Sequence, residues 1–136
     1  MRRQLFAILF LAGLAACSSG EHLETAEQAV AEFHELMSAR QFAQVYAGAS
    51  EELRSGASEA NMVRLLDALH SKLGSVKLAE KSGWNVNFHG SGTFVTLGFK
   101  TQFEKGAGVE QFIFRMSEGK ARLVSYNVNS PALLLN

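Results

Sequence analysis

The spacing of hydrophobic positions changes once along the chain, at Gly74. Before it, apolar residues recur every three or four positions, the period of a helix with one buried face. Ala29, Val30, Phe33, Leu36 and Met37 form the first such stripe. Thr25-Ala26-Glu27-Gln28 ahead of them has the spacing of a capping box, which places the start of the helix at Thr25. A second, short helical piece runs from Arg40 to Ala47, with Phe42, Val45 and Tyr46 on one side. Gly48 to Gly56 shows no clear period. Ser58 is the expected N-cap of a further helix whose stripe is Met62, Leu65, Leu66, Leu69 and Leu73, and Gly74 is its expected terminator.

Beyond Gly74 the period is two, as in half-buried strands. Val76, Leu78, Trp84, Val86 and Phe88 form the first inward row, which predicts a buried Trp84. Val95, Leu97, Phe99 and Phe103 form the second, and Phe112, Phe114 and Met116 the third. Val124, Tyr126 and Val128 form the fourth. Turns are expected at His89 to Gly92, at Gly106-Ala107-Gly108 and at Ser117 to Lys120. Three short connections between four strands require antiparallel neighbours, hence a meander. Alternation leaves one face of the sheet apolar, and the preceding helices have stripes to bury against it. The expected fold class is therefore α+β, with N-terminal helices packed on one face of a four-stranded antiparallel meander.

Helices followed by such a meander resemble the cystatin-like roll shared with nuclear transport factor and ketosteroid isomerase. The stretch from about residue 25 to 130 is also similar to an uncharacterised domain-of-unknown-function family of small bacterial envelope proteins. The matching pieces are Lys72-Leu73-Gly74, Gly92 to Leu97, Lys100 to Lys105 with Glu110 after it, and Gly119 to Tyr126. Ala121-Arg122 stand where that family commonly has a tryptophan. The resemblance implies a fold and an envelope location, and no activity.

The first residues change the picture from fold to compartment. Met1-Arg2-Arg3 is positive, and Leu5 to Leu14 is apolar and of signal-peptide length, too short to span a bilayer of roughly 30 Å. Leu14-Ala15-Ala16-Cys17 resembles the lipobox of bacterial lipoproteins, which implies cleavage before Cys17 and lipid on its sulfur. The expected organisation is a signal peptide over 1–16, a polar, flexible lipidated tether over 17–24, the roll over 25–130 and a C-terminal tail over 131–136. Cys17 is the only cysteine, so no disulfide within the chain is available to the exported domain. Without Arg2 and Arg3 the 13 basic residues become 11 against 13 acidic, a net charge near −2. That balance speaks against a nucleic-acid partner and against a polybasic membrane patch. Membrane attachment is then expected through the lipid on Cys17 alone. Ser18 after the cysteine is the kind of residue that in similar lipoproteins permits sorting to the outer membrane, facing the periplasm.

Candidate chemistry is sparse. His22, His34, His70 and His89 show no metal-ligand spacing, and Ser38 stands where a zinc-protease helix would need its second histidine after His34. No metal or cofactor is expected. Gly90-Ser91-Gly92 and Gly106-Ala107-Gly108 lead into strands and read as turns, because a phosphate cradle leads into a helix. Tyr46, Glu80 and Tyr126 are the candidate pocket residues: two inward tyrosines, and a carboxylate on the inward parity of its strand or at a bulge. Rolls that resemble ketosteroid isomerase pair a carboxylate base with a tyrosine donor. Phe94, Val109, Ile113 and Leu123 carry the outward parity and are the candidate interface, suited to a homodimer or an envelope protein partner. The sequence thus predicts a non-enzymatic, lipid-anchored binding or assembly module. Its alternative is a small isomerase- or hydrolase-like enzyme using the pocket of the roll.

Overall fold

The structure is a computed structural model that describes the backbone of residues 14–135 and the side chains of residues 19–135. Four helices precede the sheet: α1 (Leu14–Ser38), α2 (Phe42–Ala47), α3 (Glu51–Gly56) and α4 (Glu59–Leu73). Four strands follow: β1 (Val76–His89), β2 (Gly92–Phe103), β3 (Gly106–Ser117) and β4 (Lys120–Asn129). A short helix, α5 (Ala132–Leu135), closes the described chain. The strands pair in the order β1-β2-β3-β4, all antiparallel. The expected α+β architecture is present, with the N-terminal helices on one face of the meander.

The core lies between that helical layer and the inner face of the sheet. Val30, Phe33, Phe42, Val45, Met62 and Leu66 meet Val95, Leu97, Phe99, Phe112 and Phe114 there. Helix ends are terminated by the residues the sequence singles out. The Ser58 hydroxyl accepts from the Asn61 amide at 3.2 Å, and Gly74 takes φ 75° at the C-terminus of α4. A Cβ at Gly74 would lie 2.8 Å from Cβ of Glu104, so both φ and space require glycine. Leu65 is the exception in the α4 stripe and is exposed.

Several elements depart from the expected ones. α1 begins at Leu14, so the expected tether over 17–24 is helical and Thr25 is not its cap. The reason is tertiary: Leu23 packs on the core and His22 lies against Phe88, which outweighs the weak helix propensity of Ser18-Ser19-Gly20. α3 arises in the stretch without a period. Its signal is local, a Ser50 hydroxyl accepting from the Leu53 amide at 3.2 Å with Glu51 and Glu52 in the first turn. The β2–β3 turn falls at Glu104-Lys105, and Gly106 to Gly108 belong to β3. At Gly108 a Cβ would meet the Asn129 carbonyl oxygen at 3.0 Å, so that glycine serves close strand packing.

Bulges rewrite the inward rows. Register shifts between Val76 and Leu78 and between Lys81 and Gly83 put Leu78 and Glu80 opposite Gln102 and Lys100, on the outer face. Trp84 and Phe88 keep the inner parity, opposite Leu97 and Thr93, yet they are 58% and 62% exposed. β1 is an edge strand whose second half extends past the helical layer, so inward parity there does not bring burial. In β4 the shift between Ile113 and Phe114 makes Val124 the extra residue. Leu123 therefore faces inward opposite Phe114 and is buried.

Candidate functional site

Among the described residues Glu110 is the one acidic side chain in the core, with no exposed surface. It sits on β3 with the inward parity of Phe112 and Phe114, one step before the row that the sequence reading begins at Phe112. Three donors converge on its carboxylate. Thr101 Oγ1 donates to Oε1 at 2.5 Å from the neighbouring strand β2, and Tyr126 Oη donates to Oε2 at 2.6 Å from β4. From α1, His34 Nε2 donates to the carboxylate at 3.0 and 3.2 Å. Two strands and a helix are thereby tied to one carboxylate.

The electrostatics follow from these contacts. Burial pushes the Glu110 carboxyl upward, since a charge loses its hydration. The donors His34, Thr101 and Tyr126 pull it the other way and prevail, holding it below the usual carboxylate value. Tyr126 is pushed far above the ordinary phenol range, first by burial and then by the Glu110 charge and its hydrogen bond. The phenol thus stays protonated and keeps donating. Phe33 lies tilted at 4.6 Å and Phe112 at 5.0 Å from the Tyr126 ring, fixing its orientation.

The space beside this cluster is small. A cavity of about 20 Å³ is lined by His34, Glu110, Tyr126 and His70, with Phe33 and Phe103 around them. That volume fits about one water molecule and no organic substrate. His70 Nδ1 is buried there without a hydrogen-bond partner among the described groups. A carboxylate with a tyrosine donor is the pairing the enzyme alternative requires, but here both groups already bond each other, with room beside them for about one water. Among the described residues, no three His, Cys, Asp or Glu side chains converge as metal ligands.

Of the three expected pocket residues, only Tyr126 belongs to this interior. Tyr46 instead donates to the carbonyls of Ala57 at 2.9 Å and Arg54 at 3.1 Å, tying α2 to the end of α3. Glu80 is exposed on the outer face, because the β1 bulges invert its parity. Outward lies another concavity, a groove of about 720 Å³ across the outer face at the α5 end of the sheet. Leu78, Val109 and Leu134 supply its apolar wall, and Glu80 and Lys100 lie side by side along one row of it.

The expected interface divides in the same way. Val109 is 55% exposed and lines the groove. Ile113 is half-buried on the same face, four residues along the strand, roughly 13 Å away. Phe94 is capped by the Arg115 guanidinium 4.4 Å above its ring, and Arg115 is in turn paired with Glu52. Leu123 is core, as described above. The four therefore do not form one patch, and Leu78 and Leu134 take the places beside Val109. The signal for Glu110 was present as parity. Its convergence with His34 was not, because it depends on where α1 crosses the sheet.

The side chain of Cys17, and residues 1–13 of the signal peptide expected over 1–16, lie outside the described residues. No helix among the described residues is long and apolar enough to cross a membrane. No protein-family model matches the chain, and no curated protein matches it.

Proposed function

We propose that the chain is a lipid-anchored cell-envelope protein that works as a non-enzymatic binding module, presenting the outer face of its sheet. The observation that carries this reading is the contrast between the cavity beside Glu110 and the groove on the outer face. The interior one has room for about one water, while the outer groove is about 720 Å³ in volume. A groove of that size with apolar walls and a few polar groups suits a protein segment or a second copy of the chain. The anchor rests on Leu14-Ala15-Ala16-Cys17, with the outer membrane as the expected destination.

The test separates groove from interior in a deletion strain. Val109→Glu places a charge in the groove without touching the core, and should abolish complementation while the protein stays folded. Glu110→Gln, checked for folding, should still complement. The reverse pattern, a folded Glu110→Gln that fails and a Val109→Glu that works, overturns the binding reading in favour of interior chemistry.

A further inference from the structure

The inner face of β1 holds two large aromatic side chains that the described chain leaves more than half exposed, His22 meeting only one side of Phe88. Trp84 and Phe88 are on the same side of the strand, opposite Leu97 and Thr93, four residues and roughly 13 Å apart along it, and each is more than half exposed. Exposure of this size is unusual on the face of a sheet that is elsewhere the core. Their position relative to α1 is defined by His22, whose ring meets Phe88 edge-on at 6.4 Å between centroids. α1 continues from His22 back through position 17 to Leu14. His22 is five positions along the helix from Cys17, a rise of about 7.5 Å.

From this placement we infer that Trp84 and Phe88 are a membrane-contact edge, seated in the interfacial region of the bilayer that holds the lipid on Cys17. The inference rests on the proposed lipid anchor. An acylated Cys17 lies at the bilayer surface, and a surface helix or aromatic edge enters the headgroup region by roughly 5–10 Å. The helical rise and the ring contact together place Phe88 within about 14 Å of position 17. Tryptophan is the side chain best suited to that zone, with an apolar ring and an indole N–H that finds a polar partner there. Two aromatics would not hold a protein on a membrane unaided. Beside a covalent anchor they need only select an orientation, because the tether supplies the effective concentration. The chain's net charge near −2 once Arg2 and Arg3 are removed offers no basic alternative for that role.

Trp84 is the only tryptophan in the chain, so it reports on itself. The mature lipidated protein is reconstituted into vesicles of phosphatidylethanolamine and phosphatidylglycerol, with parallel vesicles whose acyl chains carry bromine near the headgroup. Intact mass and flotation first establish lipid on Cys17 and attachment to the vesicles. The expected result is Trp emission shifted to shorter wavelength, loss of most of that emission to the brominated lipid, and protection from iodide. Phe88→Asp, still floating, should return the emission to that of a water-exposed indole. Attached protein with unquenched, water-like Trp84 emission overturns the membrane edge and leaves the anchor standing. Shifted emission that ignores bromine but falls with protein dilution in the vesicles also overturns it, in favour of a second copy on this edge. An unmodified Cys17 overturns the anchor and the edge with it.

Discussion

Replacing Glu110 tests the argument that one carboxylate ties α1 to the sheet. Glu110→Gln keeps the volume and one acceptor oxygen but removes the charge to which Thr101, Tyr126 and His34 all donate. Hydrogen bonds to a charged group contribute about 1.5–3 kcal/mol each, roughly twice a neutral one. The amide can re-pair with the Thr101 and Tyr126 hydroxyls, so the expected loss is about the value of one such bond, ~1.5–3 kcal/mol. Glu110→Leu leaves the Thr101 and Tyr126 donors buried with no acceptor, and the loss should rise to about 3–5 kcal/mol. Acid should erase the difference. The Glu110 carboxyl is held below its ordinary value in the folded protein, so its contribution is fully present above the unfolded value near 4.5 and fades as pH falls through the folded one. Urea denaturation followed by far-ultraviolet circular dichroism, at neutral pH and in steps below pH 4.5, measures both effects. Trp84 emission is the wrong probe, since that ring is already exposed in the folded state. Equal stability of Glu110→Gln and wild type at neutral pH would refute the reasoning, as would a deficit that persists unchanged in acid.

Three further expectations use the same assays or simpler ones. Tyr126→Phe removes a single donor to Glu110 while leaving the ring against Phe33 and Phe112, and should cost about 1.5–3 kcal/mol in urea melts. Leu123→Ala should cost about 2–5 kcal/mol, whereas Ile113→Ala on the outer face should cost much less; equal losses would mean that the β4 bulge is misplaced. Cys17→Ser should leave unprocessed precursor and abolish lipidation, read by intact mass and membrane fractionation.

What could be read from the chain was whatever a local period carries. The switch at Gly74 from a helical stripe to alternation is enough to place helices before strands, and short turns are enough to make the strands a meander. Ser58 and Gly74 mark helix ends because capping is satisfied within a few residues. Ser50 carried the same kind of signal for α3, and only the absence of a hydrophobic stripe hid it. Alternation also implied an inner face, and Val95, Leu97, Phe99 and Phe103 are on it.

The tertiary structure decided the rest, for two physical reasons. Parity is a count, and a bulge changes the count without an obvious mark in the sequence. Leu123 moved into the core and Glu80 out of it in this way. Burial, in turn, needs a covering layer as well as a direction. Trp84 points inward, yet α1 does not cover the edge of β1 where it stands. Glu110 joins both reasons: its inward parity was legible beside Phe112, but a buried carboxylate is tolerable only where donors meet it. His34, Thr101 and Tyr126 are 76, 9 and 16 residues away along the chain, and only the crossing of α1 over β2, β3 and β4 brings them to the same two oxygens.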